Sequence, residues 1–243
     1  MDRSSAVGAE AIGAAAGMVA GEDPEMEIRV NTQSCKLDTA QNGTMWTLPG
    51  VCKSWLAPTR DFAWQGLIER AKLKSGDWIL IHGGAGAVGL YAVQLAHIRA
   101  AHVITTVSTQ DIDFVKQLGA NEAIDYKASR FESVVRDVDV VFDAVGGDTV
   151  ERSWAVLKPG GRMITIAADS EGTTDQRVKD AFFIVEPNQK QLVDIAKQLD
   201  AGQLRAFVKN TFPLDEASAA YSGAATPKGA HGKIVISVFA GRS

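Results

Sequence analysis

Six residues, Gly84-Ala85-Gly86-Ala87-Val88-Gly89, carry the strongest chemical signal in this chain of 243. Their spacing suits a loop that wraps a diphosphate. Gly84 allows a tight turn, Gly86 lets the main chain approach the pyrophosphate, and Gly89 lets the next helix pack closely. Unpaired N–H groups and the helix dipole would face the negative charge, with Ala87 and Val88 part of the cradle. Glycine clusters are common in turns, so the setting decides. An apolar run, Trp78-Ile79-Leu80-Ile81, precedes the loop. Val88, Tyr91, Ala92, Leu95 and Ala96 follow it at the spacing that lines one helical face. Strand, glycine loop and helix in that order are the context of a dinucleotide site.

The next strand ends in Val107-Ser108-Thr109-Gln110. Many dinucleotide sites place an acid here to hold the ribose hydroxyls. An acid would repel a 2′-phosphate, so its absence favours NADPH over NADH. Ser108 and Thr109 could donate hydrogen bonds to the phosphate. Ser108 and Asp111 also fit an S-x-x-D capping box, and both roles are expected to coexist. His82 and His97 stand on a strand end and a helix face without companion ligands, so structural roles are expected. The two cysteines, Cys35 and Cys52, form no CxxC and have no nearby histidine pair; two free thiols and no zinc are expected. A net charge of −4 lacks the basic excess of nucleic-acid binders. No apolar run is long enough to span a bilayer. The stretch Ala11 to Ala20 lacks leucine and a basic start, so an export signal is not expected and the cytoplasm is the default location.

The elements that must position these groups alternate. Val103 to Val107 reads as a β-branched strand, Asp111 to Leu118 as a helix ending at Gly119, and Ala123 to Tyr126 as a brief strand. Phe131 to Arg136 reads as a short helix and Val138 to Phe142 as a buried strand. Asp148 caps a helix expected to run through Leu157, and Arg162 to Ala167 follows as a strand. Asn188 caps a helix through Leu199, with Gly202 just beyond it. A helix over Asp215 to Ser222 and a strand over Lys233 to Phe239 complete the chain. This alternation predicts an α/β fold of the Rossmann type, a doubly wound parallel sheet covered on both faces. The region before residue 62 is weakly periodic; only Glu25 to Val30 alternates as a strand does. Three regions are therefore expected: an atypical, partly disordered N-terminal segment over 1–62, a dinucleotide-binding domain over 63–210, and a C-terminal helix and strand over 211–243.

Specific segments carry a family resemblance. Ala63-Trp64-Gln65-Gly66-Leu67 leads into His82-Gly83 and the glycine loop. Leu118-Gly119-Ala120, Phe142-Asp143-Ala144-Val145-Gly146-Gly147, Leu157-Lys158-Pro159-Gly160-Gly161 and Gly232-Lys233-Ile234-Val235 follow. Together they resemble the zinc-independent quinone oxidoreductases of the medium-chain dehydrogenase/reductase superfamily, over nearly everything after residue 62. The resemblance implies NADPH-dependent reduction of quinones, enones or similar small-molecule acceptors. It places Ser108, Thr109 and Tyr126 near the adenosine 2′-phosphate, and Ala144 and Val145 beside the cofactor. Ile166, Ala167, Phe183 and Val185 would flank the nicotinamide, and Lys233 would stand on the cofactor side. It also implies a homodimer joined through the sheets. Ile112 departs from the pattern, because relatives often carry Lys there. The GroES-like barrel that precedes the cofactor domain in that family has no counterpart in residues 1–62. The last strand, which would pair within that barrel, is expected to stand unpaired or to pair with Glu25 to Val30.

No catalytic acid or base can be named from the residues. Two other readings stay open: a dinucleotide-binding protein without turnover, and an S-adenosylmethionine methyltransferase. The second rests on Leu157 to Arg162 and is weakened by His82 and Val107, which stand where those enzymes place acids.

Overall fold

The computed structural model describes residues 59–222 and 229–237, all within one compact unit. The chain enters as a helix over 59–64 that continues as the π-helical turns Gln65–Arg70 (together α1). Strand β1 (Trp78–His82), helix α2 (Gly89–Ile98) and strand β2 (His102–Val107) form the first βαβ unit. A 3₁₀ turn, Thr109–Asp111, leads into α3 (Ile112–Gln117) and then β3 (Glu122–Asp125). The second half holds β4 (Val138–Asp143), α4 (Asp148–Ser153), β5 (Leu157–Thr165), α5 (Gln176–Ala181) and α6 (Gln189–Asp200). β6 (Val208–Pro213), α7 (Ala217–Ser222) and β7 (Lys233–Ser237) close the chain.

Five strands form a parallel sheet in the order β3-β2-β1-β4-β5, the Rossmann arrangement. Parallel strands buried on both faces require apolar residues at successive positions, which β1 supplies. Ile79 and Ile81 pack into one core with α1 and α2, whereas Leu80 points to the other with Phe131, Val141 and Met163. Beyond β5 a single parallel bridge, Thr165 to Phe182, occupies the sixth strand position.

Several elements differ from their sequence patterns. The expected one-sided helix after the glycine loop is buried along its whole span Gly89 to Ala96, because the segment leading to β6 covers its outer face. Gln94 makes that contact, donating to the Arg205 carbonyl at 3.2 Å and accepting the Arg205 N–H at 2.8 Å. The helix expected over Phe131 to Arg136 is only the 3₁₀ turn Phe131–Ser133. The helix begun at Asp148 turns 3₁₀ at Trp154–Val156, and Leu157 already belongs to β5. Asp148 is the first helical residue rather than the cap, and Gly147 precedes it with no side-chain cap. Asn188, in contrast, caps α6 as its spacing predicts, accepting the Gln191 N–H. The last strand is not orphaned: β7 pairs in parallel with β6, Phe212 opposite Ile236. Glu25 to Val30 lie outside the described residues.

Candidate functional site

The strand register brings the polar strand ends into one row along the carboxyl edge of the sheet. His82 lies opposite Thr106 on one side and Asp143 on the other; Asp143 lies opposite Thr165, and Val107 opposite Asp125. Strand order reverses between β1 and β4, so the loops after these two strands diverge and leave a crevice, where ligands of open α/β sheets bind.

The first wall is the glycine loop. Its left-handed turn falls on Gly83, at φ +76°, and not on Gly84. Gly84 is required for a different reason: a Cβ there would overlap Thr105 Oγ1 on β2. A Cβ on Gly89 would overlap the Gly83 carbonyl, so the helix packs tightly onto the loop as the spacing predicts. Gly86 is exposed, and its added Cβ would meet only the Gly83 carbonyl, at 3.1 Å. Its solvent side is open, the geometry a close-lying diphosphate needs. The Ala87 and Val88 amides have no acceptor among the described residues. They point the positive end of a ten-residue helix at the crevice. These features fit a dinucleotide diphosphate.

His82 anchors this wall. Its Nδ1 lies 3.0 Å from Thr106 Oγ1 and its Nε2 3.0 Å from Ser153 Oγ. Ser153 donates its own proton to the Thr149 carbonyl at 2.6 Å, so Nε2 carries the imidazole hydrogen and Nδ1 accepts from Thr106. Burial, aided by the Arg152 guanidinium and opposed by Glu132, holds the His82 pKa at about 3. The ring is neutral, structural and out of reach of a ligand.

The second wall is the loop after β4. Asp143 is fully buried and accepts from Thr165 Oγ1 at 2.9 Å and from the amides of Gly146 and Val145 at 3.0 and 3.3 Å. Burial raises its pKa against those hydrogen bonds. Asp169 takes the Gly147 N–H at 2.7 Å. The two carboxylates fix residues 144–147, leaving Val145 exposed toward the crevice and close to Gly83. Neither carboxylate was singled out in the sequence; burial beside free loop amides is visible only in three dimensions.

Ile166 and the buried Ala167 extend from β5 next to this loop. Phe183 is 3% exposed and packs on Phe62, with the Arg70 guanidinium over its ring, so it belongs to the core. The exposed side chain of this segment is Ile184, and Val185 is half-buried. Gln65 holds the segment in place, donating to the Glu186 carbonyl at 2.6 Å and accepting the Glu186 N–H at 3.1 Å. Gln65 is a third residue whose role the sequence did not disclose.

At the far end of the crevice Ser108 and Thr109 begin the turn after β2. The expected capping box forms differently. Ser108 Oγ donates to Asp111 Oδ2 at 2.6 Å and accepts no backbone N–H. Thr109 donates to Asp125, and that bond above all holds the Asp125 pKa down. A hydroxyl has one proton, so neither residue can donate to a phosphate while so engaged. A phosphate contact from either hydroxyl would therefore have to replace its carboxylate bond. Tyr126 is 59% exposed beside this turn, with Lys127 over its ring. Lys233 starts β7, and partial burial lowers its pKa. His231, just before it, reaches the turn after β2: its Nε2 lies 3.5 Å from Asp111 Oδ1. Among the described residues no group of three His, Cys, Asp or Glu converges to hold a metal, and no helix is long and apolar enough to cross a membrane. Cys35 and Cys52 lie outside the described residues.

Comparison with known proteins agrees with this geometry. Residues 118–236 match the family described as zinc-binding dehydrogenase. A 2-haloacrylate reductase from Burkholderia is 35% identical over 180 residues, covering 64% of this chain and 54% of that protein. An NADPH-dependent alkenal/one oxidoreductase of Arabidopsis thaliana is 32% identical, covering 71% of this chain and 43% of that protein. The quinone oxidoreductase of Coxiella burnetii superposes with a TM-score of 0.65 at 32% identity, covering 74% of this chain and 58% of that one. The chain thus spans about half the length of the relatives it matches. Parallel order, glycine loop, second wall and these likenesses together make the chain a member of the medium-chain dehydrogenase/reductase superfamily, of its quinone oxidoreductase-like kind.

Proposed function

We propose that this chain is an NADPH-dependent reductase of quinones, enones or similar carbonyl-conjugated small molecules, working without zinc. The observation that carries the reading is the crevice at the strand reversal. One wall offers free amides at a helix N-terminus, and the other is a loop fixed by two carboxylates. The preference for NADPH is supported by the absence of an acid within Val107 to Gln110 and by the name of the Arabidopsis relative. The zinc-independent chemistry rests on the sequence resemblance alone. Residues 63–210 form the cofactor domain in this reading, and the active species is a homodimer.

A bound reduced nicotinamide would supply hydride chemistry to an electron-poor carbon, with the balancing proton drawn from solvent. The protein's part is orientation, which in a bound pair replaces a costly encounter. The glycine-loop amides would hold the diphosphate, the 144–147 loop would bound one side of the cofactor, and the Gln65 clamp would keep Ile184 and Val185 in place to flank the nicotinamide.

The test is calorimetric titration of the protein with NADPH and NADH, then turnover on a panel of quinones and enones. Micromolar NADPH binding, weaker NADH binding and turnover of at least one acceptor are expected. Binding without any turnover would reduce the role to dinucleotide binding. Binding of neither nucleotide would end the proposal.

A further inference from the structure

We propose that the cleft along the outer edge of β5 is a second binding site, which takes a small carboxylate carrying a flat apolar body. Its lining shares no residue with the dinucleotide crevice, and it does not depend on the reading of that crevice.

The cleft follows from how the sheet ends. Past β5 the chain returns to the sheet only at the bridge from Thr165 to Phe182. The earlier part of the strand, Arg162 to Ile164, therefore has no outer strand neighbour among the described residues. Helix α5 stands beside this stretch instead, with Val178 and Ala181 packed into one cluster with Met163. The gap that remains is about 490 Å³, the size of a small-molecule pocket. Met163 and Ala181 supply apolar lining, Trp154 from the turn after α4 supplies a ring, and Arg70, Arg162 and Arg177 supply three guanidiniums.

Two buried donors in this cleft lack an acceptor. Trp154 Nε1 and Arg162 Nε have no hydrogen-bond partner. The other two such side-chain atoms among the described residues, Asp61 Oδ1 and Gln198 Oε1, are oxygens and lie outside the cleft. Unpaired buried N–H groups are costly, and an oxygen acceptor is what relieves them.

The charges select the class of that acceptor. Arg162 already donates to Asp77 at 2.7 Å, and Arg177 to Asp175 at 2.9 Å with Glu151 at 3.8 Å. Asp180, also in the lining, accepts from the Gln176 amide at 2.7 Å. Arg70 has no carboxylate partner among the described residues; its guanidinium lies over the Phe183 ring, 4.7 Å from the centroid. One uncommitted guanidinium in a cleft that also holds Asp180 matches a single negative charge and disfavours a dianion. A guanidinium fork meets a carboxylate in two parallel hydrogen bonds. The Trp154 ring and the apolar lining suit a flat body. Arg177 now uses that ring, 5.2 Å from its centroid, and with its side chain 59% exposed it can turn outward as a ligand enters.

The test is calorimetric titration of the whole protein with benzoate, with benzamide as its neutral counterpart and inorganic phosphate at mildly alkaline pH as a dianion. Benzoate should bind in the millimolar range usual for so few atoms, and benzamide about tenfold more weakly. Arg70→Met should weaken benzoate about tenfold, and Arg70→Lys by less, since the charge stays and the fork is lost. Trp154→Phe, which keeps a ring but removes the N–H, should weaken it severalfold. Melting temperatures establish that each variant is folded, and saturating NADPH should leave the benzoate affinity unchanged. No benzoate binding, equal binding in Arg70→Met, or equal binding of benzamide overturns the site. Displacement of benzoate by NADPH puts the ligand in the crevice and overturns it too. Phosphate that competes at lower concentration than benzoate overturns the carboxylate class. None of these outcomes touches the cofactor reading, which fails only if neither nucleotide binds.

Discussion

Within the glycine loop, neighbouring glycines answer to different forces, and substitution separates them. Gly86 faces open space apart from one carbonyl at 3.1 Å, so Gly86→Ala should leave the melting temperature within about a degree while weakening dinucleotide binding tenfold or more. Gly89→Ala would drive a methyl into the Gly83 carbonyl and should lose both stability, by about 1–3 kcal/mol, and binding. Calorimetry paired with thermal melting distinguishes the two. His82 gives a pH signature of its own. Its folded pKa of about 3 lies below the ordinary 6.5, so across that window the unfolded chain binds the extra proton. The stabilisation is fully present above pH 6.5 and is lost as pH falls toward 3, on the order of a few kcal/mol. Denaturant titration at several pH values should show that slope in wild-type protein and a flatter one in His82→Gln, which starts lower at pH 7.5. An unchanged slope in the variant would assign the acid sensitivity elsewhere.

Among the elements, the segment 182–186 depends most on one side chain. A full sixth strand would hold it by ladder hydrogen bonds, but here the ladder is a single bridge at Phe182. Gln65 substitutes for the missing rungs. It pairs with both backbone groups of Glu186 and donates to Gln191 Oε1 at 2.8 Å, while Gln191 reaches Glu69. Gln65→Leu keeps the volume but strands these buried partners, at a cost of about 1–3 kcal/mol. Amide exchange should quicken at Ile184 to Glu186 and remain slow in β1 and β4. Equal acceleration throughout the sheet would show that Gln65 contributes only global stability.

For the molecule as a whole, the feature that bears on assembly is the outer edge of β5. Among the described residues it is paired only at Thr165, and unpaired strand edges invite another chain. A homodimer is expected, visible in sedimentation as a concentration-dependent doubling of mass. A single species at monomer mass up to high micromolar concentration would remove it from the proposal. The two-stranded β6–β7 sheet is the other whole-chain feature. It brings His231 from the end of the sequence onto Phe114 of α3 and to Asp111 in the turn before it.

Local pattern determined a good deal of this protein. Three glycines between an apolar run and a helical face specify strand, loop and helix, because each constraint acts over a few residues. The alternation of such units specifies a parallel sheet, because the crossing helices cover both faces of its strands. The cap at Asn188 was legible for the same reason. Tertiary structure decided whatever depends on residues far apart in sequence. It moved the positive-φ turn to Gly83, buried Phe183, and set Ser108 and Thr109 against carboxylates. It gave β7 a partner in β6 and brought His231 to Asp111, across 120 residues of chain. A hydrogen bond or ion pair forms between whichever groups the packed backbone delivers to each other, and the spacing of residues along the chain carries no record of that meeting.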